Sequence, residues 1–118
     1  MTNSEFEKIT ARAIKNLPVF FKDKMANIVV IAKSAPTREQ ARKMGGDLLG
    51  LYEGISLLDR DTGYSGVMPD KITIFQKNIE AACSRPEEIE KEVRHVVMHE
   101  IAHHFGMSDT ELIEKGLY

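Results

Sequence analysis

One segment of the 118-residue chain decides the fold prediction: residues 84–109, SRPEEIEKEVRHVVMHEIAHHFGMSD. Its first residues, Ser84 and Glu87, are spaced as a capping box, which is typical of a helix N-terminus. Apolar residues then recur at helical spacing as far as Phe105. Gly106 follows directly and is a natural residue to end a helix. The segment therefore predicts one long amphipathic helix followed by a sharp turn.

Three of the four histidines lie within six residues near the end of this helix, around a glutamate. His99 and His103 are one helical turn apart, so both imidazoles can reach one Zn²⁺ at roughly 2.0–2.1 Å. Glu100 falls on the apolar face, where an ionised carboxylate without partners is costly. A metal site removes this anomaly, because Glu100 can then act as general base toward a metal-activated water. Asp109 arrives after the Gly106 turn, where a third ligand is required.

The rest of the chain predicts a small sheet backed by helices. Apolar patterns predict helices at 4–17, with Ser4 as N-cap, at 37–44, and from Asp109 or Thr110 onward. β-Branched and alternating patterns predict strands at 28–31, 48–54 and 71–77, of which the first is expected to be buried. The turn-forming residues of 58–69 predict a loop. This order of elements indicates an α+β fold, with residues 1–118 forming a single domain.

Composition excludes several classes of function. The chain is 42% hydrophobic and 29% charged, with a net charge of -2, which is typical of a globular protein without a nucleic-acid-binding face. No apolar run approaches the roughly 20 residues of a membrane span. The N-terminus lacks the apolar core of a signal peptide. The single cysteine, Cys83, is expected to be a buried small hydrophobe in a cytoplasmic protein.

The pattern H-E-x-x-H-x-x-G-x-x-D is similar to the long zinc signature of metzincin-type peptidases, with aspartate replacing the third histidine as in snapalysin-like enzymes. A wider resemblance, to a family of small bacterial zincin-like metallopeptidases, rests on LLGLYEGISL (48–57), PDKITIFQKNIE (69–80) and VRHVVMHEIAHHFGMSD (93–109). It implies a zincin-like fold in which a small mixed sheet packs against an active-site helix. It also implies one Zn²⁺ per chain on His99, His103 and Asp109, with Glu100 as catalytic base.

The third ligand stays open, because the chain departs from the larger families. Metzincins proper carry a methionine turn well downstream, whereas nine residues follow Asp109 and Met107 lies inside the motif. Gluzincins take their third ligand from a glutamate on a later helix, for which Glu111 and Glu114 are the candidates. Asp109 is the preferred ligand and Glu114 is the alternative.

A few other side chains are candidates for supporting roles. His104 points about 100° away from its neighbour, so we expect a buried, hydrogen-bonded histidine or one that steers the third ligand. His95 lies nearer to solvent and is not expected to bind the metal. Tyr64 is preferred over Tyr52 and Tyr118 as a residue that could polarise a substrate carbonyl.

The leading hypothesis for function is a zinc-dependent peptidase that cleaves peptides or unstructured proteins. The substrate is expected to pair as an added strand with an exposed edge at Ile72–Gln76, or alternatively with the strand that follows Gly50. Two other hypotheses are a metal-dependent hydrolase of another bond, such as in RNA, and a zincin-fold metal-binding module with little turnover. Glu100 favours peptide chemistry, and the absence of a basic patch disfavours RNA.

Overall fold

The computed structural model describes residues 1–54 and 69–116, and it confirms the α+β fold class. The helices are α1 Asn3–Lys15, α2 Val19–Lys22, α3 Arg38–Met44, α4 Gln76–Ala82, α5 Ile89–His104 and α6 Asp109–Glu114. The strands are β1 Ile28–Lys33, β2 Gly50–Glu53 and β3 Asp70–Phe75. Short 3₁₀ turns at Asp23–Asn27 and Pro86–Glu88 lead into β1 and α5. None of the described helices is long and apolar enough to cross a membrane.

The described strands form a mixed sheet with the order β1-β3-β2. β1 runs parallel to β3, with Ile28 opposite Asp70, and β2 runs antiparallel to it, with Gly50 opposite Ile74. Because β3 is paired on both sides, the prediction of an exposed edge at Ile72–Gln76 is wrong. Alternation along a strand tells which residues share a face, but it carries no information on neighbouring strands. Within the described ranges the edges are β1 and β2, and β2 is the alternative edge that the sequence left open.

The hydrophobic core fixes how α5 sits on the sheet. α5 packs against α1 on one side and against β2 and β3 on the other. The fully buried side chains of this core include Phe6 of α1, Ile72 and Ile74 of β3, and Val93, Val97 and Ile101 of α5. Each such side chain contributes about 1.5–3 kcal/mol relative to an exposed position. This packing therefore fixes the rotation of α5 about its own axis, and with it the direction of its histidines relative to β2.

Two predicted helix caps are wrong. α1 is capped by Thr2, whose hydroxyl accepts from the Glu5 N–H at 3.1 Å, and Ser4 lies inside the helix. The sequence holds two overlapping capping-box patterns here, Thr2 with Glu5 and Ser4 with Glu7, and the helix forms the earlier one. The sequence predicts Ser84 as the N-cap of the long helix. In the structure the 3₁₀ turn before α5 begins after Arg85, and no side chain caps it. Proline at the first turn already lacks the N–H that such a cap would satisfy.

Strand boundaries also differ from the prediction. The strand expected at 71–77 ends at Phe75, and the helix Gln76–Ala82 follows it directly without a side-chain cap that could have signalled it. The strand expected at 28–31 is longer and is not fully buried. Val29 is 43% exposed, because β1 lies at an edge of the described sheet.

Two short helices agree with the prediction. α3 occupies the expected range 37–44 and is capped by Thr37. α6 begins at Asp109, one of the two starting residues expected. The loop predicted at 58–69 lies outside the described residues except for Pro69.

Candidate metal centre

The chain reverses direction at the end of α5 through a Schellman motif. The N–H of Gly106 donates to the carbonyl of His103 at 3.1 Å, and the N–H of Met107 donates to that of Ala102 at 2.8 Å. Gly106 has a φ of +75°, a conformation that strains residues with a Cβ atom. This turn brings Asp109 back toward the last turns of α5.

The start of α6 is fixed by a cap and by an apolar anchor. The hydroxyl of Ser108 accepts from the N–H of Glu111 at 3.2 Å, and Leu112 is fully buried. Asp109 is thereby held beside α5, with its Oδ1 atom 3.3 Å from Nδ1 of His99. Asp109 thus meets His99, which lies ten residues earlier in the sequence.

The structure brings the three predicted ligands together. One donor atom each of His99, His103 and Asp109 lies within 4.8 Å of the others, and we call these residues the donor group. The two imidazole centroids are 3.9 Å apart. Ligands of a tetrahedral zinc ion are separated by about 3.3–3.5 Å, because each bond is about 2.0–2.2 Å long. In the described part of the chain, Glu111 and Glu114 are not members of this group.

Glu100 lies near the two imidazoles and is half-buried. Burial raises the pKa of its carboxyl above the usual value, since the charged form loses solvation. The nearby His99 and His103 favour the charged form and oppose this rise, as does a hydrogen bond from the backbone N–H of Tyr52. The carboxyl group is therefore a stronger proton acceptor than an exposed glutamate.

Close packing between β2 and α5 places Tyr52 next to Glu100. A Cβ atom on Gly50 would lie 2.6 Å from Cγ1 of Val96 and 3.2 Å from the carbonyl oxygen of Thr73. Only glycine leaves enough room at this point of contact. β2 therefore lies close enough to α5 for its backbone at Gly50 to pack against the side chains of Val96 and Glu100.

A cleft of about 340 Å³ opens beside the donor group. Its apolar part is formed by Leu48, Leu49 and Val96, and its polar part includes Glu92 and His95. The donor group itself is open to water, since the side chains of His99 and Asp109 are 39% and 53% exposed. A flexible chain could therefore reach the centre from solvent along this cleft.

His104 is exposed, so the prediction of a buried histidine is wrong. Its ring stacks on that of Tyr52, with centroids 4.0 Å apart and an interplanar angle of 12°. Its Nε2 atom lies 3.9 Å from Oδ2 of Asp70, which also accepts a hydrogen bond from the Tyr52 hydroxyl at 2.7 Å. Sequence reasoning missed Asp70, because a lone aspartate before a strand carries no signal of its contacts.

The other candidates stand apart from the donor group. His95 is exposed and lines the cleft. Cys83 is half-buried against the core, and burial together with the charges of Glu92 and Glu88 raises the pKa of its thiol. The predictions for Tyr64 and Tyr118 fall on positions outside the described residues.

Comparison with known proteins identifies one family. A family model described as zincin-like metallopeptidase matches residues 25–117, well over half of the chain. The match begins after α1 and α2 and includes the donor group and Glu100. No curated protein matches the chain.

Proposed function

This chain belongs to the zincin-like metallopeptidase family, and from that premise we propose that it is a zinc-dependent peptidase. His99, His103 and Asp109 bind one Zn²⁺ per chain in this proposal, and Glu100 is the general base. The observation that carries it is the meeting of two imidazoles and a carboxylate within 4.8 Å beside a half-buried glutamate.

The donor group suits zinc by its chemistry. Two nitrogen ligands and one oxygen ligand are a common set for catalytic zinc, which keeps a further position for water or substrate. When bound, Zn²⁺ supplies Lewis-acid polarisation of the scissile carbonyl and of the attacking water. The exposure of Asp109 leaves a path by which both can approach.

Glu100 moves the proton in this proposal. A carboxylate oxygen of Glu100 accepts a proton from the attacking water and later delivers it to the departing amine nitrogen. Burial favours this exchange, because it raises the pKa of Glu100 above that of an exposed glutamate. Glu100 lines the same cleft as His99 and Asp109, so its carboxylate lies on the side from which water would reach the donor group.

We propose that the substrate is a peptide or an unstructured protein segment that pairs with β2. Within the described residues, β2 has β3 as its one strand neighbour, and Gly50 of β2 lines the cleft. Backbone pairing along such an edge binds extended chains with little dependence on their side chains. A disulfide-bonded protein should therefore be cleaved after reduction and alkylation, and resist cleavage in its native form.

We propose the partners and the cellular compartment of the protein from its composition. A net charge of -2 gives no reason for a nucleic-acid partner, and one cysteine suits the cytoplasm. We also propose that residues 1–118 act as a single domain.

A metal-binding module with little turnover is the second candidate. The exposure of Asp109 and His103 favours it, because catalytic zinc centres gain from the exclusion of water. The two candidates share the donor group and differ in what happens after zinc binds.

Hydrolysis assays with zinc-loaded protein separate these functions. Wild type and Glu100→Gln are incubated with a reduced and alkylated protein, a peptide library and RNA, and the products are identified by mass spectrometry. The proposal expects peptide products from wild type alone. Zinc-loaded wild type without any turnover would favour the module, and cleavage of RNA would favour the other hydrolase.

A further inference from the structure

Part of the cleft beside the donor group has no role in the proposed chemistry. Leu48, Leu49 and Val96 form its apolar side, and Glu92 also lines it. Among the described residues, no lysine or arginine lines this cleft. Pairing with β2 would hold the backbone of a substrate with little selection of its side chains. Selection of a side chain is therefore left to the walls of the cleft.

Glu92 is the acid of this cleft that neither binds the metal nor moves a proton in the proposed function. It is half-buried, and in the described part of the chain its carboxylate forms no hydrogen bond or ion pair. Glu90 of the same helix, by contrast, pairs with Arg12 at 2.7 Å and with Arg94 at 3.4 Å. A cleft lined by acids and without a basic side chain attracts cationic ligands.

The spacing along α5 sets which part of a substrate can reach Glu92. Glu92 lies seven residues before His99, so their Cα atoms are about 10 Å apart along the helix axis. An extended lysine side chain places its nitrogen about 6 Å from its own Cα atom, and neighbouring Cα atoms of a chain are about 3.8 Å apart. A lysine next to the residue that meets the donor group therefore reaches Glu92, whereas a short side chain does not.

We propose that this cleft is a side-chain subsite in which Glu92 selects lysine or arginine beside the cleaved bond. The inference rests on the proposed function, in which peptides are cleaved at the donor group. The apolar side of the cleft contacts the methylene groups of the bound side chain, and Glu92 pairs with its charged end. Lysine and arginine suit such a wall, because their stems lie along apolar surface while the charge stays near water. The substrate class is thus an unstructured chain with a basic residue at the cut.

Cleavage profiles test the selection. Zinc-loaded wild type, Glu92→Gln, Glu92→Lys and Glu88→Gln are incubated with a peptide library, and the cut sites are read by mass spectrometry. Wild type should favour lysine or arginine by about fivefold at one fixed position next to the cut. Glu92→Gln keeps the shape of the side chain and should lose this preference, and Glu92→Lys should favour acidic residues there. Glu88 lies one turn earlier on the neighbouring cavity and not on the cleft, so Glu88→Gln is the matched control and should behave as wild type.

Binding without cleavage gives the second readout. Zinc-loaded Glu100→Gln is titrated with two labelled peptides that differ only in lysine or norleucine at the selected position, and Kd is measured by fluorescence anisotropy. Norleucine keeps the apolar stem and lacks the charge. The lysine peptide should bind about fivefold more tightly at about 0.1 M salt, and this ratio should shrink at about 1 M salt because the ion pair is screened. Adding Glu92→Gln should abolish the ratio and leave the Kd of the norleucine peptide unchanged.

A lysine preference that survives in Glu92→Gln, or equal binding of the two peptides to Glu100→Gln, would overturn the inference. An equal loss of preference in Glu88→Gln would also overturn it, because the effect would then belong to the overall charge of the helix. If wild type cleaves no peptide, the proposed function fails, and the ratio of the two Kd values alone decides whether Glu92 selects a basic side chain.

Discussion

Substitution of Gly50 by alanine should destabilise the protein through a steric clash between β2 and α5. The added Cβ atom would lie 2.6 Å from Cγ1 of Val96 and 3.2 Å from the carbonyl oxygen of Thr73. The first contact can be relieved only by moving a buried side chain, and the second only by moving the central strand. Overpacking of this kind costs about 1–3 kcal/mol. With a urea m-value of about 1–3 kcal/mol/M, the unfolding midpoint should fall by roughly 1 M.

The assay is urea unfolding followed by circular dichroism, with Gly46→Ala as the matched control. A Cβ atom on Gly46 would meet no heavy atom within 4 Å, so this variant should change the unfolding free energy by less than about 0.5 kcal/mol. In a Val96→Ala background the cost of Gly50→Ala should shrink, because the closest contact is gone. Equal stability of Gly50→Ala and wild type would refute the close approach of β2 to α5.

Three further predictions follow from the same structure. Asp109→Ala should lose most of its zinc affinity while Glu114→Ala keeps it, as measured by competition with a zinc chelator; the reverse order would move the third ligand to Glu114. Gly106→Ala should lower the unfolding free energy by about 1–2 kcal/mol, since alanine is strained at a φ of +75°, and an unchanged urea midpoint would argue against the Schellman turn. Cys83 should react with a neutral alkylating reagent more slowly than an unstructured cysteine peptide at pH 8, because its raised pKa leaves less thiolate. The rate of Cys83 should approach that of the peptide as the pH rises. Equal rates at pH 8 would contradict the raised pKa.

The helix α5 and its histidines could be predicted from sequence because their signals are local. Residues one turn apart share a helix face wherever the helix lies, so His99 and His103 are paired by spacing alone. The Gly106 turn is equally local, and it places Asp109 within reach. This part of the candidate site needed no knowledge of the sheet.

The sheet order could not be predicted, because it depends on pairing between distant segments. The pattern of Ile72 and Ile74 predicts a strand, but nothing in it says that β1 and β2 both pair with that strand. The contact of Tyr52 with Asp70 has the same origin, since it joins two strands across an intervening segment. The failed edge prediction and the missed Asp70 therefore share one cause.

Zinc content of the purified protein tests the proposed metal centre most directly. Wild type, the double variant His99→Ala/His103→Ala and the control His95→Ala are dialysed against zinc-containing buffer, freed of excess metal and analysed by inductively coupled plasma mass spectrometry. His95 lies on the same helix and lines the same cleft, yet it is not in the donor group. We expect one zinc per chain in wild type and His95→Ala, and almost none in the double variant. Stoichiometric zinc in the double variant, or none in wild type, would contradict the proposed centre.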